Sequence, residues 1–214
     1  KVSYSSLNYK DALSASGNRG VTREYPHTPG IDAVGEVIES NSSDFKTGEK
    51  IIVTGYDLGM NTFGGFGQYI SISANWAIPL PKKLSEAEAM SIGTAGLTAG
   101  LCVRKLLMND FTPDSGNVLV TGASGGVGSV AVMVLSKLGF KVVALTGKKD
   151  QADYLESLGA SSVIMRSEME EQGKPLQKGI YQGGVDTVGG NILSNFISQT
   201  SQRGAITCCG NVAS

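Results

Sequence analysis

Two patterns of apolar and polar positions divide the chain. Residues 1–92 carry short apolar runs broken by glycine, proline and asparagine, which is typical of a small β-barrel or sandwich. The runs predicted as strands are 33–39, 50–54 and 67–73. Near the end of this region, Ser85 and the acidic residues after it predict the N-cap and first turn of a helix.

Residues 93–214 follow a different pattern, in which strand and helix signals alternate. The predicted strands are 117–121, 141–146 and 162–165, and the predicted helices are 94–107, 128–138 and 150–158. Two further strands that end in glycine loops are predicted at 183–190 and 204–210. The βαβαβ order, with strands that are continuous apolar runs, indicates a doubly wound parallel sheet.

The composition excludes several classes of function. The 214 residues contain 18 lysines and arginines against 19 acidic residues, a formal charge of −1, and 41% are hydrophobic. Disorder does not fit this balance, and neither does nucleic-acid binding through a diffuse basic field. No apolar run approaches the ~18–20 residues of a membrane span. We therefore predict no nucleic-acid partner and no membrane partner.

Glycine and cysteine counts add two expectations. The 29 glycines are roughly 14% of the chain, about twice the usual ~7%, without the period of collagen. The three cysteines form no pairing framework, which fits a reducing compartment, and we expect a cytoplasmic protein. Because the chain starts in a strand pattern and stops in an unfinished connection, we expect a longer polypeptide at both ends.

The most informative motif is the glycine-rich turn at 120–128, between a predicted strand and a predicted helix. A pyrophosphate needs backbone N–H donors at close range, so glycine must stand where a Cβ would block it, and the helix N-terminus attracts the charge. The glycines fall at 122, 125, 126 and 128, which departs from G-x-G-x-x-G. A tight crossover is the alternative, but the βαβαβ frame favours a dinucleotide.

The end of the second predicted strand indicates which dinucleotide. An NAD site usually carries an acid about 20 residues after the turn. Here Thr146, Gly147 and Lys148 occupy that stretch, with no acid before Asp150. A hydroxyl and a lysine suit a 2′-phosphate, which a carboxylate would repel, so we predict NADPH. The alternative is an ordinary solvated helix start.

The sequence lacks residues that other dehydrogenase and hydrolase mechanisms require. A short-chain dehydrogenase needs Tyr-x-x-x-Lys after the turn, which is absent. A catalytic zinc needs several Cys, His and Glu ligands, yet residues 1–92 contain no cysteine and a single histidine, His27, so we predict no metal. Gly122-Ala123-Ser124-Gly125-Gly126 fits the Gly-x-Ser-x-Gly spacing of the hydrolase elbow, but the sequence offers no evident base for a serine or cysteine nucleophile.

Several segments together resemble a known family. Those similar to the zinc-free medium-chain dehydrogenases/reductases are 8–11, 29–32, 93–99 and 120–128, in this order. Those similar to its acrylyl-CoA reductase group, which includes the YhdH/YhfP-type quinone oxidoreductases, are 6–13, 23–26 and 186–189. The resemblance implies an α/β protein with a GroES-like β-barrel at 1–92 and a Rossmann NADP-binding domain at 93–214. Members are longer at both ends, which agrees with a truncated chain.

The resemblance also implies roles for single residues. The pyrophosphate would be held by Ser124, Gly125, Gly126 and Val127. The adenosine 2′-phosphate would be held by Thr146, Gly147 and Lys148, and Arg166 would reach the adenosine end.

Asn211 matches a cofactor-loop position, although its loop is less glycine-rich than in the family. Tyr9 would lie at the nicotinamide and act as a hydrogen-bond donor or cofactor-orienting hydroxyl. The alternative for Tyr9 is a packing tyrosine with a solvated hydroxyl. Asn8 and Asp11 are interpreted as residues that fix the loop.

Three functions follow as hypotheses. The first is an NADPH-dependent reductase of the C=C bond in an α,β-unsaturated acyl thioester, with enolate charge stabilised by hydrogen-bond donors instead of a metal. The second is an NADPH:quinone oxidoreductase, and the third is a non-catalytic NADPH-binding protein. The substrate would be a small molecule, an acyl-CoA or a quinone, and a homodimer is a family expectation.

Overall fold

The computed structural model describes residues 1–210 and residue 212. The strands are β1 Val2–Tyr4, β2 Asp32–Glu36, β3 Lys50–Thr54, β4 Ala77–Pro79, β5 Asn117–Thr121, β6 Lys141–Thr146, β7 Ser162–Met165, β8 Tyr181–Asp186 and β9 Thr200–Cys208. The helices are α1 Tyr9–Ala15, α2 Glu86–Leu107, α3 Gly126–Lys137, α4 Ala152–Ser157 and α5 Gly190–Ser198. The chain divides into two compact units, Lys1–Thr94 and Ala95–Ser214.

The first unit contains an antiparallel sheet in the order β1-β2-β3-β4. Its buried side chains form two small clusters, one around Val34 and Ile52 and the other around Ala33, Val53 and Leu58. The short strands β1 and β4 complete the sheet at its two edges.

The strand predicted at 67–73 is wrong. Ile70 and Ile72 do pack against a buried cluster, so the alternation of apolar positions reflects real burial. The backbone of this segment accepts a bond from the Val2 N–H at the Gln68 carbonyl, at 2.9 Å, and otherwise makes local turn bonds at its two ends, with Gly64 and Trp76, instead of a ladder. Alternating burial without a hydrogen-bonded neighbour produces an extended segment and not a strand.

The second unit contains a parallel sheet in the order β7-β6-β5-β8-β9. The central strand β5 is buried along Val118, Leu119 and Val120, and hydrophobic clusters lie on both faces of the sheet. Continuous apolar strands covered on both sides are the pattern expected of a doubly wound sheet. Among the described residues, no helix is long and apolar enough to cross a membrane.

Helix α2 is interrupted at Gly93, whose φ of 48° and ψ of −158° lie outside the helical region. A Cβ at Gly93 would stand 2.6 Å from the Ser6 hydroxyl oxygen and 2.7 Å from a carboxylate oxygen of Asp32. Glycine is therefore required here both by the backbone conformation and by the close approach of two polar side chains.

Candidate dinucleotide site and Tyr9 loop

The turn between β5 and α3 is built around two glycines that tolerate no side chain. Gly122 has a φ of +59°, and a Cβ there would collide with the Thr187 hydroxyl. A Cβ at Gly128 would collide with the carbonyl oxygen of Gly122. The turn is closed by a hydrogen bond from the Gly125 N–H to the Gly122 carbonyl, at 2.9 Å. Both glycines are thus needed to keep the turn this tight.

The first turn of α3 presents the groups that an anion would need. Gly125 is the N-cap, and its carbonyl accepts a hydrogen bond from the Ser129 N–H at 2.9 Å. The amides of Gly126, Val127 and Gly128 precede that bond and have no intrahelical acceptor. The first turn contains no acidic residue. The arrangement fits a pyrophosphate bound by backbone amides and the helix dipole.

A pair of hydroxyl groups connects this turn to the end of β6. The Ser124 and Thr146 hydroxyl oxygens are 2.9 Å apart, and the Lys148 N–H donates to the Thr146 hydroxyl at 3.1 Å. Thr146 is 1% exposed, so its hydroxyl is occupied inside the protein, whereas Lys148 is exposed. Thr146 therefore positions the Lys148 loop, and the lysine is the group free to meet a phosphate.

Arg166 lies beside the same loop. A Cβ built on Gly147 would be 3.5 Å from Cδ of Arg166, so the arginine side chain passes over the glycine. Its Nε forms a 2.7 Å ion pair with Glu170, and both side chains are partly exposed. The carboxyl ends of β5, β6 and β7 therefore bring together the predicted residues Ser124, Thr146, Gly147, Lys148 and Arg166.

A buried carboxylate at the end of β8 supports the turn, and sequence reasoning assigned it no role. Asp186 is 0% exposed and accepts from the Thr121 hydroxyl at 2.6 Å and from the Gly189 N–H at 2.9 Å. Thr187 adds two bonds to Thr121, one through its N–H at 3.0 Å and one through its hydroxyl at 2.9 Å. These bonds fix the ends of β5 and β8 against each other, because each buried polar group has a partner. The signal available in the sequence was an acid that closes an apolar strand before a glycine.

Tyr9 is the first residue of α1 and is 63% exposed. The loop before it is held by Asn8, whose N–H donates to Asp11 and whose side-chain amide donates to Asp32, both at 2.8 Å. Asp11 also accepts from the backbone of Gly30 at 3.0 Å and Ile31 at 2.9 Å. Tyr9 thus projects from a loop that two buried carboxylates fix.

Asp32 is the centre of this network, and the sequence did not indicate that role. Its carboxylate is 0% exposed and accepts from the Thr94 N–H at 2.9 Å, from the Thr94 hydroxyl at 2.6 Å and from Asn8. The contact joins residues 62 positions apart. Spacing along the chain could not show it.

Two further predictions concern Asn211 and the metal. Asn211 lies outside the described residues, and its role stays a prediction. Among residues 1–210 and 212, no three His, Cys, Asp or Glu side chains form a cluster that could hold a metal ion. His27 packs between two aromatic rings. Its ring centroid lies 6.0 Å from that of Phe63, on which it stacks, and 6.4 Å from that of Tyr25, which it meets edge-on.

Two family models match the chain. The alcohol dehydrogenase GroES-like domain matches residues 1–82, and the zinc-binding dehydrogenase domain matches residues 126–214. The chain therefore belongs to the medium-chain dehydrogenases/reductases, and the predicted GroES-like plus Rossmann architecture is confirmed.

Individual relatives define the group within the family. YhfP of Bacillus subtilis is 46% identical over 98% of this chain and 64% of its own length. Acrylyl-CoA reductase AcuI of Ruegeria pomeroyi is 44% identical over 98% of this chain and 64% of its length. The crystal structure of Escherichia coli K-12 YhdH with bound NADPH has a TM-score of 0.95 and 43% identity, and covers 98% of this chain and 65% of that one. Within its family, the chain belongs to the YhdH, YhfP and AcuI group, and it spans about 64% of the length of these curated relatives.

Proposed function

We propose that the protein is an NADPH-dependent reductase of the C=C bond in a small α,β-unsaturated acyl thioester. The observation that carries the cofactor half of this proposal is the Ser124–Thr146 hydroxyl pair, which joins the anion-binding turn to a loop ending in an exposed lysine. No carboxylate stands between Thr146 and Asp150, so nothing in this loop repels a 2′-phosphate.

Different residues of the chain bind different parts of NADPH. The amides of Gly126 and Val127 and the positive end of α3 hold the pyrophosphate. Lys148 supplies positive charge for the 2′-phosphate, Arg166 reaches the adenosine end, and Thr146 holds the lysine loop in place. The choice of an α,β-unsaturated acyl thioester as the substrate is supported by the name of the AcuI relative, an acrylyl-CoA reductase.

Bound NADPH supplies the hydride that the β-carbon of the thioester accepts, and the α-carbon takes a proton. The negative charge that develops on the thioester oxygen needs a hydrogen-bond donor. Tyr9 is the proposed donor or cofactor-orienting hydroxyl, since its ring is exposed while the loop beneath it is fixed by Asp11 and Asp32. A fixed loop reduces the freedom that would otherwise be lost in the transition state.

A quinone is the second candidate acceptor, because the name of the YhfP relative refers to quinone oxidoreduction. NADPH oxidation, followed by absorbance with acryloyl-CoA and with a simple benzoquinone side by side, separates the two. We expect rapid oxidation with the thioester and little with the quinone. The reverse result would move the assignment to quinone reduction, and tight NADPH binding with neither activity would indicate a binding protein.

The Tyr9 role has its own test. Tyr9→Phe is expected to lower kcat by about tenfold to a hundredfold while NADPH affinity changes little, in line with the loss of one donor to a developing charge. Tyr69→Phe is the matched control, because Tyr69 is 64% exposed in the same unit. Equal activity of the two variants would remove Tyr9 from the chemistry.

A further inference from the structure

The first residues beyond two neighbouring strands place an arginine against the candidate 2′-phosphate loop. In the parallel pair β6 and β7, Thr146 is the register partner of Met165. Gly147 and Arg166 are the next residues along the two strands, and a Cβ built on Gly147 would lie 3.5 Å from Cδ and 3.8 Å from Cβ of Arg166. The stem of the arginine therefore lies against the middle residue of the loop that ends in Lys148.

The positive charge of Arg166 is matched by Glu170, four residues further along the chain. The Arg166 Nε and a carboxylate oxygen of Glu170 are 2.7 Å apart, and the two side chains are 44% and 49% exposed. A carboxylate at this distance cancels much of the attraction that the guanidinium would otherwise exert on a nearby anion. Glu170 therefore lowers the positive potential beside the loop.

The other acids of segments 146–150 and 166–170 are engaged elsewhere. The side chain of Glu168 accepts a hydrogen bond from the Met165 N–H at 2.8 Å, which closes the turn after β7. Asp150 accepts a hydrogen bond from the side-chain amide of Gln151 at 3.1 Å. Of the acids in these two segments, Glu170 is the one that forms an ion pair with the arginine beside the loop.

Hydrogen bonds from α5 fix the backbone that carries Glu170. The Glu170 carbonyl accepts from the side-chain amide of Asn191 at 3.1 Å. The carbonyls on either side, those of Met169 and Glu171, accept from the side-chain amide of Asn195 at 2.9 Å and 2.7 Å. Both Met169 and Asn195 are buried, so this short segment is anchored in the core. The carboxylate therefore projects from a fixed backbone, which reduces the entropy lost when the ion pair forms.

We propose that Glu170 limits the preference of this protein for NADPH over NADH by engaging Arg166. The 2′-phosphate of NADPH carries about two negative charges, whereas NADH has a neutral hydroxyl in its place. While Glu170 holds the arginine, Lys148 is the cation that the 2′-phosphate meets, and the carboxylate itself opposes the phosphate charge. The inference rests on the proposed function, in which this loop binds the 2′-phosphate.

Glu170→Gln removes the charge and keeps the size of the side chain. In fluorescence titrations at low ionic strength, we expect its Kd for NADPH to be about threefold to tenfold lower than that of the wild type, because a phosphate with about two charges no longer faces the carboxylate. The Kd for NADH should stay within about twofold. Glu171→Gln is the matched control, since Glu171 is the next residue and is also exposed, and it should leave the ratio of the two Kd values unchanged. An unchanged ratio in Glu170→Gln, or weaker binding of NADPH, would overturn the proposal.

Two further titrations separate an electrostatic role from a structural one. In about 1 M salt, where the Debye length falls to ~3 Å, the gain in NADPH affinity from Glu170→Gln should shrink to less than about twofold. In an Arg166→Met background the same substitution should lose most of its effect, because it no longer releases a guanidinium. A gain of full size at high salt or without Arg166 would contradict the proposal.

Lys148→Glu distinguishes a failure of this inference from a failure of the proposed function. If Lys148→Glu weakens NADPH binding while Glu170→Gln leaves the ratio of the two Kd values unchanged, the loop binds the 2′-phosphate and only the role of Glu170 is wrong. If Lys148→Glu leaves NADPH affinity unchanged, the 2′-phosphate site itself is wrong, and the role of Glu170 is overturned with it.

Discussion

The side-chain hydroxyl of Ser124 lies 2.9 Å from that of Thr146, although 22 residues separate them. The contact links the loop after β5 with the loop after β6, so the pyrophosphate turn and the candidate 2′-phosphate loop form one connected surface. Thr146 continues the connection by accepting the N–H of Lys148 at 3.1 Å. Cofactor preference should therefore depend on Lys148, and the geometry of its loop on Thr146.

Lys148→Glu tests the 2′-phosphate assignment. Replacing a positive charge by a negative one should raise the Kd for NADPH by about tenfold or more, since charge-assisted bonds contribute roughly 1.5–3 kcal/mol. The Kd for NADH should change little, because it lacks the 2′-phosphate. Fluorescence titration with both nucleotides measures the two constants.

Lys149→Glu is the matched control for that experiment, because Lys149 is the next residue and is also exposed. It should shift NADPH affinity much less. If both variants lose NADPH affinity equally, the effect is one of general charge and the specific assignment of Lys148 fails.

Gly128→Ala tests the tightness of the turn. The added Cβ would collide with the Gly122 carbonyl oxygen, so the turn must open, and we expect a loss of roughly 2–4 kcal/mol in the free energy of unfolding together with weaker nucleotide binding. Urea denaturation and NADPH titration measure the two effects. Gly100→Ala is the control, because nothing lies within 4 Å of its Cβ in α2, and it should gain up to about 1 kcal/mol.

Asp32→Asn tests the network beneath Tyr9. The Asp32 carboxylate accepts hydrogen bonds from Asn8 and Thr94, and an amide NH₂ in its place would set a donor against these donors. We therefore expect the free energy of unfolding to fall by about 2–3 kcal/mol. Asp44→Asn, at an exposed position, should change the free energy of unfolding by less than about 0.5 kcal/mol. Similar values for both variants in thermal or urea denaturation would show that the network is not a structural centre.

The ion pair between Lys50 and Glu86, at 2.8 Å, predicts a pH effect. The hydrogen bond from Lys50 lowers the pKa of Glu86 below its usual value of 4.5. A carboxylate with a lowered folded pKa stabilises the fold above pH 4.5, and this stability is lost as the pH falls through the folded value.

Glu86→Gln should therefore flatten the fall in stability below pH 4.5, as measured by denaturation at successive pH values. Lys50→Met removes the partner and should flatten it in the same way. An unchanged slope in both variants would mean that the pair contributes nothing measurable.

The sequence predicts the parallel sheet well because fully buried strands leave continuous apolar runs, as in β5 and β6. It also predicts that the turn at 120–128, Thr146 and Lys148 serve one site, because the turn and the end of the next strand follow the strand–turn–helix frame; Ser124 itself is named only by the family resemblance. It fails at 67–73, where Ile70 and Ile72 are buried without a strand partner. Periodicity reports which side chains are buried and does not report which backbone lies alongside.

The support of the site could not be predicted in the same way. Asp32 meets Thr94 and Asp186 meets Thr121 across 62 and 65 positions, and each carboxylate is wholly buried. Long-range pairing of this kind is decided by the folded topology, whereas local motifs show only the acids themselves.

The central claim is that a hydride is transferred to the β-carbon of an unsaturated thioester. The most direct measurement is the reaction of acryloyl-CoA with NADPH that carries two deuterium atoms at C4 of the nicotinamide, with the product examined by mass spectrometry. We predict propionyl-CoA with one deuterium at the β-carbon and none at the α-carbon. The absence of propionyl-CoA, or deuterium at the α-carbon, would contradict the account.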